Sequence, residues 1–167
     1  MARTGVDFHL DVYSSFKIYG WEQRDEPYKE LFDRCTRHPN ITYHGYQPNH
    51  VVREALKKAH IYAYPNIWPE TSAISVIEAM SAGCTVICPN FAALPETCAN
   101  FAVMYGWNEN ANAHANQFAG ILKMVIDGFW DDYNQDRLKL QKVYFDSFYN
   151  WDLRGSQWRD FLTSISS

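Results

Sequence analysis

The sequence predicts an α/β domain with a mainly parallel sheet flanked by helices, and three observations lead to that prediction. Short apolar segments of strand length alternate with segments of helical periodicity along the 167-residue chain. The strand segments are too brief and too apolar for an antiparallel sheet with one face in water. Hydrophobic residues make up 47% of the chain and aromatic residues 16%, which argues for a packed core and against disorder.

The first half of the chain alternates predicted strands with predicted helices. Residues 8–13 alternate in polarity and then become apolar, as in a strand, and the polar residues 14–26 form a long loop. The predicted order is a strand over 8–13, the loop, a helix from Pro27 to the break at His38-Pro39-Asn40, a strand over 41–44, a helix over 49–59 and a strand over 61–64.

The second half begins with a short helix and ends in three longer ones. Ser72 and Asp152 are the predicted N-caps of two helices, because their side-chain oxygens accept hydrogen bonds from the first N–H groups of a helix. The predicted order is a helix from Ser72 to Ala82, a strand over 85–88, a loop over 89–97, a short strand near 102–104, and helices over 113–126, 132–149 and 152–165.

Neither an internal repeat nor a low-complexity linker divides the chain, so we expect residues 1–167 to form a single domain. Only a few residues precede the first predicted strand. They leave no room for the strand and phosphate-contacting loop that usually open a doubly wound domain. We therefore expect the sheet to lack its first strand and the chain to be a fragment of a longer protein. Met1 to Gly5 lack the features of a signal peptide.

The charge pattern predicts no polyanionic partner. The net charge is −4 and no block of like charges occurs, so neither nucleic acid nor an anionic membrane is indicated. No apolar run approaches the roughly 20 residues that a membrane-spanning helix needs.

Cysteine and histidine patterns predict no metal site. The four cysteines fit no common zinc spacing, and the six histidines are dispersed. Cys84 and Cys88 flank an apolar strand, where a free thiol behaves as a small hydrophobic group. We therefore expect reduced structural thiols and a reducing compartment, which places the protein in the cytoplasm.

The segment from Pro65 to Ile87 carries the chemistry, because two carboxylates bracket a predicted helix start there. Glu78 stands in an apolar run, where burying a carboxylate is costly unless a partner hydrogen-bonds it. The backbone N–H groups of Ala73, Ile74 and Ser75 would lack partners within the helix. Together with the helix dipole, they form an anion site suited to phosphate.

The two carboxylates suit different parts of one ligand. Paired oxygens at Glu78 match the neighbouring hydroxyls of a ribose, and Glu70 is placed to contact a sugar on the far phosphate. These residues therefore suggest a nucleoside diphosphate that carries a sugar. The alternative is that Glu70 is a solvated turn residue and that the Glu78 side chain extends from its helix to water.

The same segment resembles the nucleotide-binding half of GT-B glycosyltransferases, most closely the large retaining family 4. That family carries a Glu-x7-Glu element, which stands here as Glu70 to Glu78. The resemblance implies a Rossmann-like domain, the C-terminal half of a GT-B fold. Further similarities are Ala79-Met80-Ser81-Ala82-Gly83, Val86-Ile87, Tyr43-His44-Gly45-Tyr46, Leu94-Pro95-Glu96, and Tyr149-Asn150-Trp151-Asp152 with Trp158.

The resemblance also implies roles for single residues. Glu70 would be the catalytic residue, contacting the hydroxyls of the donor sugar, and Glu78 would bind the ribose. Ser72, with the backbone of Ala73 and Ile74, would surround the distal phosphate. The nucleotide site would also include Tyr46, whose backbone would lie near the base. The candidate site residues are therefore Glu70, Glu78, Ser72, Ala73, Ile74 and Tyr46.

The chain departs from the family at three places, the first of which is Pro65-Asn66, where the family commonly has Pro-Ser. Where the family commonly has Phe-Gly, this chain has Ser72-Ala73, so the fit of the donor is expected to differ. The family's Arg…Lys-Gly loop, whose cations neutralise the diphosphate, has no counterpart here. No Asp-x-Asp metal motif occurs either, in agreement with metal-independent chemistry that needs no cofactor, in which the helix dipole and basic side chains stabilise the leaving diphosphate.

By this resemblance, the protein is a glycosyltransferase that transfers sugar from a UDP- or GDP-sugar to an acceptor with retention of configuration. A missing N-terminal domain would bind the glycan, lipid or protein acceptor, so we expect the isolated chain to be inactive in transfer. The full-length protein could also lie peripherally at a membrane. Two alternatives stay open: a non-catalytic interaction module of GT-B ancestry, and a related sugar-nucleotide epimerase or phosphorylase.

Overall fold

The computed structural model describes residues 8–166, so Met1 to Gly5 lie outside the described part. The chain divides into two compact units, Met1–Glu54 and Ala55–Ser167. All the described strand pairs are parallel, in a two-stranded sheet and a separate three-stranded sheet. The parallel pairing agrees with the sequence prediction, although the strands form two sheets.

The first unit contains the two-stranded sheet and the helix that connects its strands. Strand β1 (Leu10–Val12) pairs with β2 (Ile41–Tyr43) in a register that sets Leu10 against Ile41. Helix α1 (Lys29–Arg37) lies between them in sequence and packs on β2. Helix α2 (Asn49–Leu56) follows β2.

The predicted loop over 14–26 is more ordered than the sequence indicated. It forms two 3-10 helices, Phe16–Tyr19 and Glu22–Tyr28, joined by the side chain of Asp25. The Asp25 carboxylate accepts hydrogen bonds from the Ser15 hydroxyl (2.5 Å) and from the Phe16 N–H (2.9 Å). Pro27 lies inside the second 3-10 helix, so α1 begins later than predicted.

The second unit is a three-stranded sheet in the order β3-β4-β5 with helices around it. Its strands are β3 (Ile61–Ala63), β4 (Thr85–Asn90) and β5 (Val103–Gly106). Its remaining helices are α3 (Ile74–Ala82), α4 (Leu94–Thr97), α5 (Ala111–Asp127), α6 (Asp132–Phe148) and α7 (Trp151–Ile165). The central strand β4 is buried from Thr85 to Pro89, which explains its continuous apolar sequence.

Two local predictions in this unit were wrong. The N-cap of α7 is Asn150, not Asp152, because the Asn150 side-chain oxygen accepts the Leu153 N–H at 2.8 Å and starts the helix earlier. Residues Leu94–Thr97, predicted as loop, form the short helix α4, in which Pro95 lies in the first turn. Proline is favoured there because its missing N–H would have no partner within the helix.

Helix α6 is fixed to α3 by a buried glutamine. The Gln141 side chain is 1% exposed, and its Nε2 donates to the carbonyl oxygens of Met80 (3.1 Å) and Cys84 (2.9 Å). The Met80 carbonyl lies in the last turn of α3 and also accepts the Gly83 N–H at 3.1 Å, and the Cys84 carbonyl lies just beyond the helix. One side chain therefore completes the end of α3 and holds the turn that leads into β4.

The four cysteines are free thiols, and three of them are buried in the second unit. Burial raises the pKa of the Cys84 thiol to about 11. The Cys88 and Cys98 sulfurs lie 3.8 Å apart. Within residues 8–166, no helix is both long enough and apolar enough to cross a membrane.

Candidate functional site

The predicted site segment lies at the carboxyl edge of the three-stranded sheet. Tyr64, Phe91 and Trp107 follow the ends of β3, β4 and β5. Parallel strands end at one edge, and ligands of open α/β sheets bind outside that edge. The segment from Glu70 to Glu78 connects the end of β3 to helix α3 and therefore lies there.

The N-cap of α3 is Ala73 rather than the predicted Ser72, and no side chain caps the helix. Ala73 adopts the left-handed conformation, with φ 55° and ψ 72°. The polypeptide turns at that residue, so the helix starts one position later than the serine pattern indicated. Left-handed backbone favours glycine, which is the residue that the resembling family carries at this position.

The uncapped start leaves donors at the first turn of α3. The Ala73 carbonyl accepts the first helical hydrogen bonds, from the N–H groups of Val76 (3.0 Å) and Ile77 (3.4 Å). The N–H groups of Ile74 and Ser75 precede these bonds and so have no acceptor within the helix. The Ala73 side chain is a single methyl group, 9% exposed, so it covers little of this backbone.

Two contacts from α4 and its preceding loop fix the approach to the helix. The Thr97 hydroxyl donates to the Ser72 carbonyl at 2.8 Å, and the Ala93 N–H donates to the Glu70 carbonyl at 3.2 Å. The Ser72 side chain is exposed. The backbone between the two carboxylates is thus held from the β4 side of the sheet, which the sequence alone did not indicate.

Glu70 is half-buried and its carboxylate is already oriented. The Tyr64 hydroxyl donates to Glu70 Oε1 at 2.6 Å. Hydrogen bonds to a charged acceptor are short and strong, and this one restricts the rotation of the carboxylate. The alternative of a freely solvated turn residue does not describe this side chain.

Glu78 is half-buried on α3, and its charge acts on the Tyr62 phenol. Burial raises the pKa of the Tyr62 phenol, a hydrogen bond with Ser75 lowers it, and the charges of Glu78 and Glu70 raise it further. Tyr62 therefore lies within the field of both carboxylates. The structure brings Glu70, Ser72, Ala73, Ile74 and Glu78 together around one helix start.

Tyr46 belongs to the first unit, and its predicted contact with a base stays a prediction. It is 42% exposed and follows Gly45, whose φ of 62° makes the turn after β2. His44 is held in the same turn: its Nε2 lies 2.7 Å from Asp11 Oδ1, and its ring stacks on Tyr13. These contacts give His44 a structural role at the end of β2.

Two features near the sheet were not evident in the sequence. Tyr64 is an aromatic residue at a strand end, and that position alone did not indicate its bond to Glu70. A groove of about 580 Å³ opens at the opposite, amino edge of the sheet. Its lining includes Lys57, Lys58, Lys139 and Lys142, which are far apart in sequence.

Within the described part of the chain, no group of three or more histidine, cysteine, aspartate or glutamate residues is arranged to hold a metal ion. The polar groups at the carboxyl edge are instead two carboxylates, the Tyr64 hydroxyl that holds one of them, and backbone N–H groups. Such groups suit hydroxyls and an anion.

Comparison with known proteins assigns the family. Residues 13–135 match the family described as "Glycosyl transferases group 1". The chain is 31% identical over 111 residues to O-antigen chain mannosyltransferase B of Escherichia coli. These residues cover 66% of this chain and 27% of that protein.

Solved structures share the fold. A glycosyltransferase from Rickettsia africae superposes with a TM-score of 0.78 at 15% identity, covering 99% of this chain and 42% of the other. A sucrose-phosphate synthase from Thermosynechococcus elongatus gives a TM-score of 0.63 at 16% identity, covering 86% and 35%. The chain thus spans less than half the length of these relatives. Its parallel sheets flanked by helices match the GT-B fold, and the chain belongs to the glycosyl transferases group 1 family.

Proposed function

We propose that this chain is the donor-binding domain of a retaining, family 4-like glycosyltransferase and binds a nucleoside diphosphate sugar. In this proposal Glu78 binds the ribose hydroxyls, and Glu70 contacts the sugar. The backbone of Ala73 and Ile74, with Ser72 beside it, holds the distal phosphate.

The observation that carries the proposal is the uncapped start of α3 between two half-buried carboxylates at the carboxyl edge of the sheet. The N–H groups at a helix start attract an anion. The carboxylates flank that point in sequence and accept hydrogen bonds from hydroxyls. Phosphate between two sets of hydroxyls is the arrangement of a sugar joined to a nucleoside diphosphate.

The chemistry follows from the same groups. Transfer leaves a nucleoside diphosphate, so negative charge grows on the distal phosphate as the bond to the sugar breaks. N–H donors at the start of α3 would stabilise that charge without a metal ion. Glu70 would orient the sugar for attack on the face that gives retention. The acceptor, a glycan, lipid or protein, would be held by another part of the full-length enzyme.

Calorimetric titration of the chain with UDP and with GDP tests the nucleotide site. We expect one of them to bind, and Glu78→Ala to weaken that binding roughly tenfold or more, because charge-assisted bonds to the ribose are lost. Glu30→Ala is the control, since Glu30 is an exposed residue in the first turn of α1.

The control should leave the affinity unchanged. If neither nucleotide binds the unaltered chain, or if Glu78→Ala binds as well as Glu30→Ala, the proposal is wrong.

Exposed tryptophans favour a second candidate, a non-catalytic interaction module of the same fold. Trp130, Trp151 and Trp158 are 71%, 90% and 62% exposed. Large aromatic side chains at the surface are typical of protein interfaces. The same titration separates the two candidates, since an interaction module would not need to bind nucleotide.

A further inference from the structure

Tyr64 is held rigidly at the point where β3 ends. Its N–H donates to the Ile87 carbonyl at 2.9 Å, which extends the pairing with β4, and its carbonyl accepts the Asn66 N–H at 2.8 Å. Its ring stacks on that of Tyr62, with centroids 5.7 Å apart and an angle of 17° between the planes. Backbone and ring are therefore both fixed by the sheet.

The hydroxyl of this fixed ring meets Glu70. Its 2.6 Å bond to Oε1 joins the sheet to a residue in the loop before α3. A carboxylate has about four acceptor positions on its two oxygens, so one bond from Tyr64 leaves Oε2 able to accept a ligand hydroxyl. The Glu70 backbone is held separately by the Ala93 N–H. The side chain of Glu70 is thus held by the residue that follows β3, and its main chain by the loop that follows β4.

The neighbouring tyrosine makes a different contact. Tyr62 lies two residues earlier on β3 and hydrogen-bonds with Ser75, in the first turn of α3. The two stacked tyrosines therefore share a ring contact and differ in what their hydroxyls touch. Removing one hydroxyl at a time separates the Glu70 contact from the general packing of the pair.

We propose that Tyr64 is a positioning residue that orients the Glu70 carboxylate toward the sugar of the donor. This inference rests on the proposed function. A carboxylate held in the correct direction before the ligand arrives loses less rotational freedom on binding. The gain in affinity is expected for the sugar and not for the nucleotide, because in the proposed function Glu70 contacts the sugar and Glu78 binds the ribose.

The test compares affinities for a nucleotide and for the matching sugar nucleotide. UDP and UDP-glucose, and likewise GDP and GDP-mannose, are titrated into the chain. The dissociation constant of the nucleotide divided by that of its sugar nucleotide gives the contribution of the sugar to affinity. We expect Tyr64→Phe to reduce that ratio about five- to tenfold and to leave the nucleotide affinity within about twofold. Tyr62→Phe is the matched control and should preserve the ratio.

A double-mutant cycle with Glu70→Ala separates positioning from a general structural role. Without the carboxylate, Tyr64→Phe should have no further effect on the ratio. An equal loss in both backgrounds, an unchanged ratio in Tyr64→Phe, or an equal loss in Tyr62→Phe would overturn the inference while nucleotide binding persists. If the unaltered chain binds neither UDP nor GDP, the proposed function fails and this inference fails with it.

Discussion

A single backbone conformation defines the start of the site helix. Ala73 occupies the left-handed region at φ 55°, where an alanine side chain crowds the following backbone. Strain of this kind persists only where the surrounding structure enforces it. Here the enforcing contacts are the Thr97 bond to the Ser72 carbonyl and the Ala93 bond to Glu70. The strained turn leaves the first N–H groups of α3 uncapped.

Substitutions at Ala73 should report this strain. We expect Ala73→Val to destabilise the protein by about 2 kcal/mol, because a β-branched residue fits the left-handed region poorly. Ala73→Gly should stay within about 1 kcal/mol of the parent, since strain relief is offset by a more flexible unfolded chain. Urea unfolding followed by circular dichroism measures both.

Ala115, an exposed alanine inside α5, provides the control for the valine. Ala115→Val should cost only about 0.5 kcal/mol through helix propensity. An equal cost at Ala73 and Ala115 would show that the left-handed turn carries no strain.

Single residues were the scale at which the sequence predicted least. Ser72 has the side chain of an N-cap, but the backbone turn at Ala73 displaced the helix start. The N-cap of α7 is likewise Asn150, two positions before the predicted Asp152. Candidate capping residues stand close together in both segments, and the choice depends on backbone angles that residue type does not fix.

At the scale of elements, α3 depends on a helix far away in sequence. Gln141 of α6 bonds to carbonyls of Met80 and Cys84, 61 and 57 residues earlier. Lys142 reinforces the junction by donating to the Ser81 carbonyl at 2.6 Å. The end of the site helix is therefore fixed by α6, and its start by α4.

Replacing the buried glutamine should loosen this junction. We expect Gln141→Leu to lower the free energy of unfolding by about 2 kcal/mol, because two buried carbonyls lose a donor. Gln117→Leu serves as the control on α5, where Gln117 is exposed. Chemical denaturation gives both values, and equal stability of the two variants would contradict the role assigned to Gln141.

The elements themselves were largely predictable. Each predicted strand and helix has a counterpart, because apolar periodicity is a local property of the sequence. The two 3-10 helices after β1 and the short helix α4 were not predicted. They depend on side-chain bonds such as those of Asp25, and short helices carry too few residues for a periodic signal.

At the scale of the whole molecule, the two edges of the three-stranded sheet differ in chemistry. The carboxyl edge carries Glu70 and Glu78 beside the start of α3. The amino edge opens into the groove lined by four lysines. The sequence indicated the first edge, because its residues lie in one short segment. It did not indicate the second, because those lysines are brought together only by folding.

The three-stranded sheet therefore has two candidate binding sites for a nucleotide phosphate, the start of α3 at one edge and the basic groove at the other. The first offers aligned N–H donors between carboxylates that bind hydroxyls. The second offers positive charge, although Lys139 and Lys142 are paired with Asp136 (2.8 Å) and Asp146 (2.9 Å). We propose that the nucleotide binds at the carboxyl edge.

A crystal structure of the chain with UDP or GDP, whichever binds more tightly, tests that assignment most directly. We predict that the ribose hydroxyls lie within hydrogen-bond distance of the Glu78 carboxylate, with the terminal phosphate on the N–H groups of Ala73 and Ile74. A nucleotide bound instead among Lys57, Lys58, Lys139 and Lys142 would contradict the account.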